Sequence, residues 1–160
     1  MELGLIYFPE NLPGYLDGLG VQFSYTALDS SQDIPLANSQ GEIESWVSRD
    51  MFGVSDSSYS AVLAYEKENF GARLSYAWRD DFLNNYEAAS FANPLGVYRK
   101  AETSLDLQIS YDVSDNLTVT FDGTNLTDEV YQSYYQNSKL FNSASSLYSR
   151  TFALGVRYSY

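Results

Sequence analysis

The sequence contains no cysteine and no histidine. Disulfide scaffolds, thiolate or imidazole metal sites and every mechanism that needs a Cys or His side chain are therefore excluded. Long apolar runs are also missing. The longest, such as AVLAY from Ala61, fall far short of the roughly 18 to 20 residues that a membrane helix needs. A helical membrane protein is excluded on that ground. Basic residues are few, 9 Lys+Arg against 21 Asp+Glu, and the net charge is -12. Phosphate contacts need a Lys/Arg patch, so no nucleic-acid partner and no anionic membrane surface is expected. Met1 opens directly onto ELGLIYF, with neither a basic n-region nor an apolar h-region, so no signal peptide is read here.

What the chain does have is aromatic residues and alternation. Aromatics make up 16% of its 160 residues, 15 of them Tyr, a share usual where aromatic belts mark an interface. The last thirteen residues read YSRTFALGVRYSY. Phe152, Leu154, Val156, Tyr158 and Tyr160 alternate there with Thr151, Ala153, Gly155, Arg157 and Ser159, the period of a strand with two different solvents on its two faces. The same pattern recurs upstream, over residues 2–7, 19–30, 59–66, 72–79, 102–111 and 117–122. Seven strands are expected. The connections run short and long by turns, with long segments at about 31–56, 80–98 and 128–147, and a short piece of strand is expected near 43–47.

One face of these strands carries no charge, whereas Glu66, Arg73, Arg79, Glu102, Asp106, Asp122 and Arg157 fall on the other. If the chain ends in the periplasm, Tyr7, Tyr65, Tyr111, Tyr158 and Tyr160 lie at one level. Tyr25, Tyr59, Tyr76, Trp78 and Phe152 then lie at the other, and Phe121 alone sits mid-strand. Two aromatic girdles of this kind belong to a membrane-spanning sheet, because a soluble sandwich has no interface at its strand ends.

The ending resembles the terminal strand of a bacterial outer-membrane β-barrel. More narrowly, NLTVTFDGTNLTDEVY from Asn116, the Tyr/Gln/Asn/Ser-rich loop after it and SRTFALGVRYSY are similar to the C-terminal end of TonB-dependent receptors. YFPENLPGYLDGLGVQFSYTALDSS from Tyr7 and FGARLSYAWRDDFL from Phe70 resemble that family as well. The resemblance implies an all-β fold: an antiparallel meander of about seven transmembrane strands, the C-terminal part of a barrel of about 22 strands with a plugged lumen. Residues 1–160 then form a single region, a fragment without the N-terminal plug and the earlier strands. It implies import of a scarce small-molecule nutrient, such as a siderophore, cobalamin or an oligosaccharide, across the Gram-negative outer membrane, with no enzymatic activity and no cofactor. The partners implied are outer-membrane lipid, TonB through the absent N-terminal part, and the barrel-assembly machinery. That machinery would read Phe152, Leu154, Val156, Tyr158 and Tyr160. A complete eight-stranded barrel with a structural or adhesion role, the stretch near 43–47 supplying the eighth strand, stays open, as does a soluble carbohydrate-binding β-sandwich.

No catalytic or metal site stands out. Asp112, Ser114, Asp115 and Asn116 lack the spacing and closing Glu of a calcium loop, and suit a tight turn. Asn116-Leu117-Thr118 and Asn125-Leu126-Thr127 match a glycosylation pattern without meaning in a bacterial protein. Ligand-contact candidates come from the long segments: Trp46 and Arg49 in the first; Arg79, Asp80, Asn84, Asn85, Tyr86 and Tyr98 around the second; Tyr131, Gln132, Tyr134, Tyr135, Gln136 and Asn137 in the third. Flat rings beside amide and charged groups suit sugars or other polar ligands.

Overall fold

The structure, a computed structural model, describes residues 1–87, 95–136 and 141–160. Asn137 lies outside the described residues. Among the described residues thirteen strands follow one another: β1 (Glu2–Tyr7), β2 (Leu19–Ala27), β3 (Gln32–Ala37), β4 (Ile43–Arg49), β5 (Ser57–Lys67), β6 (Phe70–Arg79), β7 (Phe82–Glu87), β8 (Leu95–Arg99), β9 (Glu102–Ser114), β10 (Leu117–Thr124), β11 (Val130–Tyr135), β12 (Asn142–Leu147) and β13 (Thr151–Tyr158). Seven of them, in the order β1-β2-β5-β6-β9-β10-β13, make one antiparallel sheet. These are the seven expected strands, and the sheet is a meander in which each long segment leaves and returns on one side. The fold is all-β, and no closed barrel is formed by the described residues.

Register carries the alternation across the whole sheet. Tyr7, Val21, Leu63, Leu74 and Leu107 form one row, and Ser24, Ser60, Ala77 and Ser104 form another on the opposite face. Tyr25 pairs with Tyr59 and Tyr59 with Trp78. The Tyr59 and Trp78 rings stack at 5.2 Å, with Phe23 and Tyr76 beside Tyr59 at 6.5 and 5.9 Å. Tyr59, Tyr76 and Trp78 of that girdle thereby form a ring cluster with Phe23, while Phe152 lies apart on β13. Toward the other end Tyr65 meets Phe70 at 6.0 Å. Phe121, read as mid-strand between the girdles, stacks on Phe152 at 6.0 Å across the β10–β13 pair.

The apolar face is uncovered. Leu5, Val21, Phe23, Leu63, Leu74, Leu154 and Val156 are all exposed, Leu154 at 76%. A sandwich would bury such a face against a second sheet; a barrel wall turns it to lipid. The sandwich reading is therefore set aside. Among the described residues the buried apolar side chains are Leu83, Val97 and Tyr134, and all three belong to a second, four-stranded sheet, β12-β11-β8-β7.

That second sheet corrects the expectation of irregular loops at about 80–98 and 128–147. The stretch near 43–47 is also more than a fragment: β4 pairs with β3 as a separate hairpin and does not join the seven-stranded sheet as an eighth strand. Asn38 closes this hairpin, its Oδ1 accepting from the amides of Gln40 and Glu42 at 3.0 and 2.9 Å. The short connections behave as read. Residues 8–18 form a turn with one 3₁₀ element, Gly14–Leu16, held by Lys67 Nζ donating to the Gly14 carbonyl at 2.7 Å. At the short turn between β9 and β10, Asn116 clasps the stretch after β13: its Nδ2 donates to the Ser159 carbonyl at 2.7 Å.

Candidate functional site

The long connections converge at the end of the seven-stranded sheet opposite the short turns. Strand β6 ends in Arg79, whose Nε donates to Ser55 Oγ at 2.7 Å. Its terminal nitrogen donates to the Gly53 carbonyl, and its guanidinium lies 3.8 Å over the Phe82 ring. Ser55 Oγ in turn donates to the Asp80 carbonyl at 2.9 Å. Arg79 and Asp80 thus bind the first and second long segments together, and the guanidinium donors meet backbone and hydroxyl oxygens of its own chain.

Beyond this clasp the four-stranded sheet has its own small core. Tyr134 is 4% exposed and stacks on Tyr98 at 5.5 Å with 19° between planes. Its phenol donates to Asp81 Oδ2 at 2.6 Å. Burial, and then the Asp81 carboxylate, hold this phenol protonated far above the ordinary tyrosine range. Tyr86 packs edge-on against Phe52 at 5.2 Å. Burial raises the Tyr86 and Tyr98 phenols too, and the charges of Arg49 and Asp50 bear on both. Tyr135 donates to Glu87 Oε2 at 3.0 Å, reaching across β8 to β7. Trp46 stands 61% exposed on the β3–β4 hairpin. Gln132 accepts from Lys100 Nζ at 3.0 Å, while Asn84 donates to Asn85 Oδ1 at 2.9 Å.

Of the residues singled out from the sequence, Tyr98, Tyr134, Tyr135, Arg79 and Asp80 are therefore joined into the framework of the connections. Arg49 and Tyr86 are brought to the same flank as Tyr98. Trp46 is on a separate projection. Tyr131 lines a cleft. This cleft, of about 500 Å³, lies between the polar face of β9 and β10 and the chain around β11, and is lined by Arg99, Glu102, Ser104, Asp106, Thr124, Asn125, Tyr131 and Tyr148. A smaller hollow of about 350 Å³ adjoins it along Ser60, Ala77 and Arg79, sharing Glu102, Ser104 and Tyr131.

The cleft is built stiffly. Tyr131 and Tyr148 meet edge to face at 5.1 Å and 75°, making a corner of two rings. Arg99 lies 3.7 Å from Glu102. Asp106 Oδ1 accepts from Ser104 Oγ and from the Asn125 amide, both at 2.9 Å. Asn125 is 8% exposed at φ 53, and its side chain accepts from the Glu129 amide at 2.8 Å and donates to the carbonyls of Glu129 and Ser149 at 3.3 Å. The Tyr131 phenol is raised by burial first and then by the Glu102 and Asp106 carboxylates, which keeps its proton available for donation. Sequence reading missed Arg99, Glu102, Asp106 and Tyr148 as site residues. The signal for the two carboxylates was present, as their alternation with Ser104 on the polar face. Tyr148 carried none, since only the fold brings it to Tyr131.

Among the described residues no group of acidic side chains is placed to hold a metal ion. The residues taken as an assembly signal lie on β13, at the edge of the sheet, with Phe152, Leu154, Val156 and Tyr158 opposite Gly123, Phe121, Val119 and Leu117 of β10. Tyr160 follows the strand and is fully exposed.

Comparison with known proteins gives one assignment. The model of the TonB dependent receptor-like β-barrel matches residues 1–126, well over half of the chain. Neither the curated proteins nor the solved structures compared with it gave a match. An uncovered, charge-free sheet face, strands joined alternately by short turns and long folded connections, and the match over residues 1–126 agree: the chain belongs to the TonB-dependent receptor β-barrel family, whose members are outer-membrane receptors and transporters.

Proposed function

We propose that this chain is a wall segment of an outer-membrane receptor that imports a small-molecule nutrient with energy delivered through TonB. The observation that carries the reading is the seven-stranded sheet with its apolar face exposed and its polar face bearing the charges. An unpaired strand edge in lipid costs several kcal/mol per backbone group. The two edges, β1 and β13, are therefore expected to pair with further strands of a larger barrel of about 22 strands. Contact with TonB belongs to an N-terminal part of such a receptor, and the wall supplies the mouth, the ligand-facing surface and the insertion signal.

A paired-strain uptake experiment tests this. Strains lacking the receptor gene, TonB or neither are grown on a panel of limiting iron, cobalamin and oligosaccharide sources. The receptor and TonB deletions are expected to share one condition-specific defect. Growth of the receptor deletion equal to the parent on every source would contradict the reading. The role of β13 has its own test. Deleting Tyr160 is expected to lower surface levels several-fold through failed delivery to the barrel-assembly machinery, with ligand affinity of the inserted remainder unchanged. Normal surface levels on immunoblots of outer membranes would refute it.

A further inference from the structure

The chemistry of the cleft under β11 selects among ligand classes. It has one cation, Arg99, already 3.7 Å from Glu102, and two carboxylates, Glu102 and Asp106, among its described lining residues. An anionic ligand would enter against two like charges with no uncommitted cation to meet it. A cationic ligand would face Arg99. An aliphatic one would displace water from the Glu102 and Asp106 carboxylates and offer their remaining lone pairs no donor, which is costly. Neutral hydroxyls suit it best. Ionised carboxylates only accept, and an arginine only donates. A ring bearing adjacent hydroxyls can donate to Glu102 and Asp106 while its oxygens accept from Arg99 and from the Tyr131 phenol.

The apolar half of the fit comes from Tyr131 and Tyr148. Their perpendicular rings at 5.1 Å offer one flat face and one edge, the shape that packs against the C–H face of a pyranose. The volume, about 500 Å³, lies within the roughly 300 to 1,000 Å³ usual for small-ligand sites. Preorganisation adds to this, because Asp106 is held by Ser104 and by the amide of the buried Asn125, so little ordering remains to be done on binding. The adjoining hollow along Ser60 and Ala77 extends the site beyond a single ring.

We infer that this cleft is the binding subsite for a neutral sugar unit of an oligosaccharide ligand, with Tyr131 and Tyr148 as the stacking corner and Glu102 and Asp106 as hydroxyl acceptors. The inference rests on the receptor reading above and names its ligand class.

The test uses the protein extracted from outer membranes in detergent and titrated calorimetrically with maltotriose, cellotriose and xylotriose. Ferric citrate serves as the anionic comparator and spermidine as the cationic one. At least one trisaccharide is expected to bind, with affinity falling tenfold or more in Tyr131→Ala and in Glu102→Gln and surviving in Tyr131→Phe. Heat-modifiable gel mobility verifies that each variant is a folded barrel, and Tyr148→Ala replaces any that is not. Binding of a comparator in place of every trisaccharide, absence of all binding, or trisaccharide affinity unmoved by the folded variants would overturn the inference. TonB-dependent uptake of another nutrient without trisaccharide binding would sink the sugar assignment and leave the receptor reading intact. Trisaccharide binding without TonB-dependent uptake would do the reverse.

Discussion

Asn125 shows how much one side chain can hold at the point where a barrel strand gives way to a long connection. It adopts φ 53, which Asn tolerates better than most residues, and its amide group closes the turn to Glu129 while reaching Ser149 beyond β12. Asn125→Ala leaves the Glu129 amide and the carbonyls of Glu129 and Ser149 without this partner and adds left-handed strain. A loss of about 2–4 kcal/mol is expected in urea unfolding in detergent. Asn125→Gly removes the strain alone and is expected to recover about 1 kcal/mol of it; equal losses in the two would contradict the conformational share. From the sequence this residue was legible only as part of a glycosylation pattern and of the NLTDEVY resemblance, because its partners lie on the far side of a folded connection. Tyr134 makes the second case. Its phenol is raised in the folded state, so its contribution is complete below the unfolded value of about 10 and is lost as pH rises above that toward the higher folded value. Absorbance titration at alkaline pH is expected to show one tyrosine fewer ionising late in Tyr134→Phe than in the parent. An unchanged late-titrating amplitude would speak against the raised value of this buried phenol.

At the scale of elements, the seven wall strands and the six strands of the connections follow different rules. Wall strands alternate strictly, since each residue meets either lipid or the polar side, and strands such as FGARLSYAWR and TFALGVRY display that period plainly. The connections fold in water. Strands such as IESWVSR and NSASSL put polar residues on both faces, so period two fades and they read as loops. Their order comes instead from a few contacts between distant segments: Tyr134 with Asp81, Tyr135 with Glu87, and Arg79 with Ser55. This is why the wall could be read in advance while the cleft could not. The two faces of β6 give a paired prediction. Leu74→Arg places a cation toward lipid near mid-strand and is expected to destabilise the barrel in liposomes by about 2–4 kcal/mol. Ser75→Arg, one residue on and paired with Asp106 on β9, is expected to cost under about 1 kcal/mol. Similar costs for both would contradict the assignment of faces.

For the molecule as a whole, stability and function both depend on having two solvents at once. A chain whose buried apolar side chains, among the described residues, all lie in the four-stranded sheet, and whose seven-stranded sheet leaves its apolar face uncovered, cannot stabilise that larger sheet in water by a core of its own. In a bilayer the same surface is satisfied, the aromatic cluster around Tyr59 and Trp78 sits at one interface, and the polar face lines an interior that opens under the folded connections. The sequence contains no cysteine, so single cysteines can be introduced one at a time along β5 without background labelling. The most direct measurement is spin-label accessibility at residues 60–66 in the liposome-inserted protein, comparing apolar oxygen with a polar nickel complex. Labels at 61, 63 and 65 are expected to be oxygen-accessible, and those at 60, 62, 64 and 66 nickel-accessible, a period of two across the strand. A flat profile, or water on the face that bears Leu63, would contradict the membrane-wall account.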